Sequence, residues 1–188
     1  MYYVPYILGS ASLFAMFLAT YSFGNILGSA IAKKVTDHIC KVKVFLYTNL
    51  ILGFLSAAMF FVPANSLLVM FVFIFIIGFF HQMITPIQWV MMSDTVEYGE
   101  RQGGRRLTGI SFAGLLFVLK VGLAVGGALI GWILSGVSYQ AGAATQSDAA
   151  ITGIICIFTL LPAIAYFLSS FLCRNYKLDR AYLEQAAL

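Results

Sequence analysis

The sequence predicts an all-α integral membrane protein, and three observations predict it. Apolar residues fill 61% of the 188 positions and charged residues only 10%, against about 45–50% and about 25% in soluble domains. Five apolar stretches are long enough to cross a bilayer, which takes roughly 20 residues at about 1.5 Å of rise each. Lysine and arginine fall almost entirely between these stretches, and only in alternate gaps.

Residues 1–9 (MYYVPYILG) are too short to span and read as the end of a transmembrane helix. The first span is 13–32, carrying Gly24 and Gly28 as a GxxxG that lets another helix approach closely. A basic segment follows at 33–43, then a span at 44–61 and a tight turn at Pro63–Ser66. The third span is 67–92, a charged loop covers 93–107, and the fourth span is 108–134. A Gly/Ala/Ser/Thr/Gln-rich loop leads to the fifth span, 150–172, which Pro162 should kink. The organisation is a stub at 1–9, a transmembrane bundle over 10–172 and a basic tail at 173–188.

Ten of the eleven Lys and Arg residues mark one side of the membrane. Lys33, Lys34, Lys41 and Lys43 share one gap, Arg101, Arg105 and Arg106 another, and Arg174, Lys177 and Arg180 the tail. The other two turns hold none, so the basic segments and the C-terminus are expected in the cytoplasm. The net charge of +4 is divided among separate loops, which argues against a nucleic-acid surface. The three cysteines, Cys40, Cys156 and Cys173, form no CxxC pattern. The sequence shows no nucleophile–base set, no phosphate-binding glycine loop and no metal-ligand cluster, so neither an enzyme nor a bound cofactor or metal is expected.

The eleventh basic residue, Lys120, is the sharpest signal. It lies twelve residues into its span, roughly 18 Å deep and near the midplane. A lysine there costs about 2.5–3.5 kcal/mol on insertion scales and normally faces a watery cavity or an acid. No acid of this chain falls at that depth, so its partner must be substrate or an acid elsewhere; the alternative is a side chain that snorkels to an interface. The third span carries His81, Gln82, Thr85, Gln88 and Trp89, with 81, 85 and 88 on one helical face. Hydroxyls and amides beside an indole can hold a sugar, and the same groups can equally bond helix to helix. Gly122, Gly126, Gly127 and Gly131 repeat the close-packing pattern after Lys120. Asp94, Glu97 and Glu100 with Arg101, Arg105 and Arg106 read either as a solvated surface or as an ion-pair gate.

The combination Asp94-Thr-Val-Glu-Tyr-Gly-Glu100, Arg106-Leu-Thr-Gly and Lys120-x-Gly-Leu-Ala-x-Gly-Gly-Ala resembles the C-terminal half of the glycoside–pentoside–hexuronide:cation symporters. This family, of which melibiose permease is the best-known member, belongs to the major facilitator superfamily. Thr85-Pro-Ile-Gln-Trp-Val-Met-Met-Ser-Asp94 is most similar to an enterobacterial branch associated with xylosides or related pentosides. The resemblance implies that the spans are helices 8 to 12 of a twelve-helix transporter of the bacterial inner membrane, with residues 1–9 ending helix 7. Lys120 then matches a lysine at the sugar and cation sites, and His81, Thr85, Gln88 and Trp89 become cavity candidates. Thr85 replaces a tryptophan of melibiose permease, and Leu115 and Leu116 replace a glutamine and a threonine, which points away from galactosides.

The expected function is therefore the C-terminal portion of a symporter coupling uptake of a glycoside or pentoside to Na⁺ or H⁺. Its cation site is expected in an N-terminal bundle, and the isolated portion is expected to be inactive. The alternatives are a membrane scaffold that pairs with a transporter half and a non-functional gene remnant. The partners are a small sugar, membrane lipid and that N-terminal bundle, with no nucleic acid.

Overall fold

The computed structural model describes residues 3–8, 12–63, 65–102, 107–143 and 145–176. These fold into α1 (Tyr3–Ile7), α2 (Leu13–His38), α3 (Lys41–Met59), α4 (Leu67–Arg101), α5 (Thr108–Gly136), α6 (Asp148–Phe158) and α7 (Leu160–Cys173). Helices α2 to α5, and α6 with α7 as one unit, are five segments long and apolar enough to span a membrane. The all-α bundle expected from composition is the architecture adopted.

Two elements differ from the sequence expectation. Helix α4 continues past Met92 to Arg101, making 35 residues, about 52 Å of helix against about 30 Å of hydrocarbon. Ser93–Arg101 contains no proline, and Glu97 pairs with Arg101 one turn on at 2.6 Å, an i,i+4 contact that supports the helix. Most of the segment expected as a charged loop is thus the projecting end of α4. The last span is broken at Thr159, which has φ −113° and ψ −61°. Pro162 accounts for the break: it lacks an N–H, and its ring crowds the carbonyl four residues back, that of Phe158. The bend falls one turn ahead of the proline, and the Thr159 hydroxyl donates to Ile155 O at 2.7 Å.

Helices α2 and α4 form the closest seam. A Cβ on Gly24 would strike the backbone of Phe75, one on Gly28 the carbonyl of Phe79, and one on Gly78 the carbonyl of Tyr21. The GxxxG of α2 therefore brings two backbones into contact, as its spacing predicts. On the other side α3 packs against α7, with Gly53 under the Phe167 ring and Ser170 Oγ donating to Leu46 O at 3.1 Å. Two apolar clusters fill the bundle. One joins Tyr3, Phe17, Met59, Met70 and Ile154; the other, near the basic segments, joins Ala32, Phe45, Leu52, Met83 and Cys173.

Helix α5 stands apart, with Leu134 its one buried residue. A Cβ on Gly122, Gly126, Gly127 or Gly131 would meet nothing within 4 Å. This second glycine series packs against no helix among the described residues.

The seam predicts an asymmetry between glycines. Gly28→Ala should cost about 1–3 kcal/mol through overpacking, whereas Gly114→Ala, in open space, should stay within about 0.5 kcal/mol. Unfolding in detergent micelles measures both; equal midpoints would show that the seam does not hold α2 to α4.

Candidate functional site

The charged end of the bundle is built from three helices. Asp94 is only 8% exposed on α4 and forms an ion pair with Lys41, in the first turn of α3. Tyr176, just after α7, donates its hydroxyl to Met91 O at 2.8 Å, and Thr95 Oγ1 donates to the same oxygen at 3.0 Å. Burial pushes the Tyr176 phenol above its ordinary range; the Thr95 contact opposes this, and the charge on Asp94 and the nearby Cys173 add to it. The hydroxyl accordingly keeps its proton at neutral pH and remains a donor. These contacts tie α3, α4 and the end of α7 together. Glu97 and Arg101 pair with each other on the exposed side, and Glu100 is exposed on the same last turns. Arg105 and Arg106 lie outside the described residues.

The polar stripe of α4 divides between two neighbourhoods. His81 Nδ1 is 2.9 Å from the Tyr21 hydroxyl on α2, and the Tyr166 ring of α7 stands edge-on at 6.3 Å. His81 thus joins α2, α4 and α7. Thr85 Oγ1 donates back to His81 O at 3.3 Å, satisfying its hydroxyl within the helix. Gln88 and Trp89 are exposed, and the Trp89 ring is stacked on Phe112 of α5 at 6.1 Å and 4°.

Lys120 lies near the middle of α5, exposed, with no carboxylate in ion-pair reach among the described residues. It is eight residues beyond Phe112, as His81 is eight residues before Trp89. Because α4 and α5 leave the stack in the same direction, Lys120 and His81 both lie about 12 Å deeper than the stacked rings. A cavity of about 580 Å³ opens inside the bundle, walled by Phe17, Tyr21, Met59, Phe158 and Tyr166 among others. None of His81, Thr85, Gln88, Trp89 and Lys120 lines it. The structure therefore gathers Trp89 with Phe112 and Asp94 with Lys41, while His81 turns to the tyrosines and Lys120 has no ion-pair partner among the described residues.

Tyr21, Tyr166, Phe112 and Lys41 are the partners that sequence reasoning missed. An aromatic residue in an apolar span carries no mark of which neighbour it meets. Lys41 did carry one: a lysine at a helix start on the same side of the membrane as Asp94 is within reach of it once the two helices are adjacent.

A bundle of membrane-spanning helices with a lone lysine at mid-depth and a charged end is the build of a membrane transport protein. The family described as MFS/sugar transport protein matches residues 1–180. The chain is 58% identical over 176 residues to the inner membrane symporter YicJ of Escherichia coli, covering 94% of this chain and 38% of that protein. It is 30% identical to an E. coli glucuronide carrier protein homolog, over 86% of this chain and 35% of that one. It is 37% identical over 91 residues to the isoprimeverose transporter of Lactiplantibacillus pentosus, 48% of this chain and 19% of that one. No solved structure matches it. The chain belongs to the glycoside–pentoside–hexuronide:cation symporter family of the major facilitator superfamily. It spans about 38% of the length of the E. coli symporter it matches.

The Lys41–Asp94 pair makes a signed prediction. Asp94→Leu and Lys41→Met should each lower stability by about 1–3 kcal/mol by stranding the other, partly buried charge, and the double variant should recover at least about 1 kcal/mol of the summed losses. Thermal unfolding of the four proteins of the cycle in micelles reads this; additive losses would mean the two charges do not interact.

Proposed function

We propose that this chain forms the C-terminal bundle of a symporter that couples uptake of a glycoside or pentoside to Na⁺ or H⁺, with Lys120 as its coupling residue. The observation that carries the reading is Lys120 itself. An ammonium at mid-depth, exposed and with no carboxylate in ion-pair reach among the described residues, calls for a counter-charge from outside that bundle. In this reading carboxylates of an N-terminal bundle bind the cation, and Lys120 responds to its presence by gaining or losing them as partners. Sugar and cation then each change the affinity for the other, which is what coupling means.

Gln88 and Trp89 present an amide and an indole on the exposed side of α4, suited to hydroxyls and to the C–H face of a sugar ring. His81 and Thr85 act one step back: His81 is engaged by Tyr21, and its role is to fix the α4 face rather than to touch substrate. Glu97, Glu100 and Arg101 lie at the projecting end of α4, where pairs across to an N-terminal bundle would close the cytoplasmic side, with Arg105 and Arg106 adding charge there. Asp94 contributes by holding that end to α3. The C-terminus is cytoplasmic, with three basic segments on that side. The chain alone does not transport, because alternating access needs two bundles rocking about one site. The substrate class rests on the family and on relatives named for glucuronide and isoprimeverose.

The test places these 188 residues behind the N-terminal portion of the E. coli symporter and measures sugar accumulation in vesicles. Lys120→Ala should reduce cation-driven accumulation by about 5–150-fold, the usual size of a coupling free energy, with membrane insertion unchanged. Undiminished accumulation by that variant removes Lys120 from the mechanism.

A further inference from the structure

Helix α5 is attached at its two ends and, among the described residues, free between them. At the outer end Ile130 and Leu134 pack into the cluster formed with Phe17, Met59, Met70 and Ile154. At the charged end Phe112 stacks on Trp89, centroids 6.1 Å apart and planes within 4° of parallel. Between these points Leu116, Phe117, Val118, Leu119, Val121 and Leu123 are all 44–70% exposed. A Cβ on Gly114, Gly122, Gly126 or Gly127 would touch nothing within 4 Å. Phe112 and Ile130 are eighteen residues apart, five whole turns of an α-helix at about 3.6 residues each, so both anchors lie on one bearing. Lys120 is about 80° around from that bearing and about 12 Å past the stack. Where Phe112 sits therefore sets which way the lysine faces and how deep it lies.

We propose that Phe112 is a positioning residue, whose ring, stacked on Trp89, pins the charged end of α5 to α4 and thereby fixes the depth and bearing of Lys120. The proposal rests on the coupling role given to Lys120 above. It differs from a generic packing role in requiring a flat ring on α5. An aliphatic side chain of similar bulk can fill the space but presents no face to the indole, so α5 loses its angular reference while the bundle remains folded. A phenol in place of the phenyl keeps the stack.

The chain has two tryptophans, and Trp132 is 72% exposed, so Trp132→Phe leaves Trp89 as the sole reporter without disturbing the interior. In that background, reconstituted in nanodiscs, Phe112→Leu should abolish the near-UV circular dichroism of Trp89 and raise its acrylamide quenching about twofold. Phe112→Tyr should do neither. In the vesicle-tested transporter Phe112→Leu should cut cation-driven accumulation at least about fivefold, with Phe112→Tyr close to the parent. An unchanged Trp89 signal in Phe112→Leu overturns the pin. A changed signal with undiminished accumulation shows that the stack does not position Lys120 and overturns the proposal as well. Both outcomes are distinguishable from failure of the coupling reading, which only Lys120→Ala reports and which leaves the optical result intact.

Discussion

Direct backbone contact between α2 and α4 is the constraint on which the other contacts depend. In hydrocarbon, helices gain nothing from hiding apolar side chains, because lipid tails serve equally well; they associate by close packing and polar contacts. Gly24, Gly28 and Gly78 remove the side chains that would hold the two helices apart. At that separation Tyr21 reaches His81 from one helix to the next, at 2.9 Å. The junction then extends to Tyr166 of α7, and α7 in turn packs on α3 through Phe167 and Ser170. Four helices are thus linked by a chain of contacts that starts at three glycines, and α5 is the spanning helix left outside it.

Polar side chains in the bundle find partners according to what each group needs. Threonine hydroxyls bond within their own helices, as Thr20 does to Met16 O, Thr36 to Ala32 O and Thr152 to Asp148 O, a local solution that places no demand on neighbours. Side chains with larger needs find partners on other helices: His81 with Tyr21, Asp94 with Lys41, Tyr176 with Met91 O. Lys120 has the largest need of all and no such partner within reach among the described residues. The contrast sets it apart from the polar residues whose contacts join one helix of the bundle to another, as His81 does to Tyr21.

How far the sequence carries the reading follows from what each signal encodes. Span number and helical class are legible because hydrocarbon imposes them on every residue of a segment, and a GxxxG is legible because it leaves a gap only another backbone can fill. The end of α4 was misplaced for a physical reason: charge marks where a helix leaves the hydrocarbon, not where it stops. Ser93–Arg101 does the first and not the second, since Glu97 and Arg101 stabilise one another a turn apart. Spacing puts residues 81, 85 and 88 on one face of α4, and Trp89, about 80° round from His81, meets α5 while His81 meets α2 and α7. Spacing gives bearing on one helix; it carries no information about which helix lies along that bearing. Phe112 and Tyr21 are hidden for the same reason, each one aromatic among several in an apolar run.

The two glycine series of this chain show what α5 requires. In α2 the small residues Gly24 and Gly28 lie against the backbone of α4. In α5 Ala113, Lys120, Ala124, Gly127 and Gly131 fall within about 40° of one bearing, and a Cβ on either glycine would meet open space. Facing lipid, such a stripe would be poor on every count: glycine forfeits side-chain contact with acyl chains, costs helix propensity of about 1 kcal/mol against alanine, and leaves an ammonium in hydrocarbon. Facing another helix it becomes useful on every count, since small residues allow approach close enough for a lysine to reach a carboxylate across the gap. The E. coli symporter at 58% identity is more than twice the length covered by this chain, so polypeptide able to supply that surface exists within the family. Attachment of α5 at Phe112 and at Ile130–Leu134, with the stripe between, keeps the lysine on the side where such a helix would lie while leaving the middle of α5 unencumbered by its own bundle.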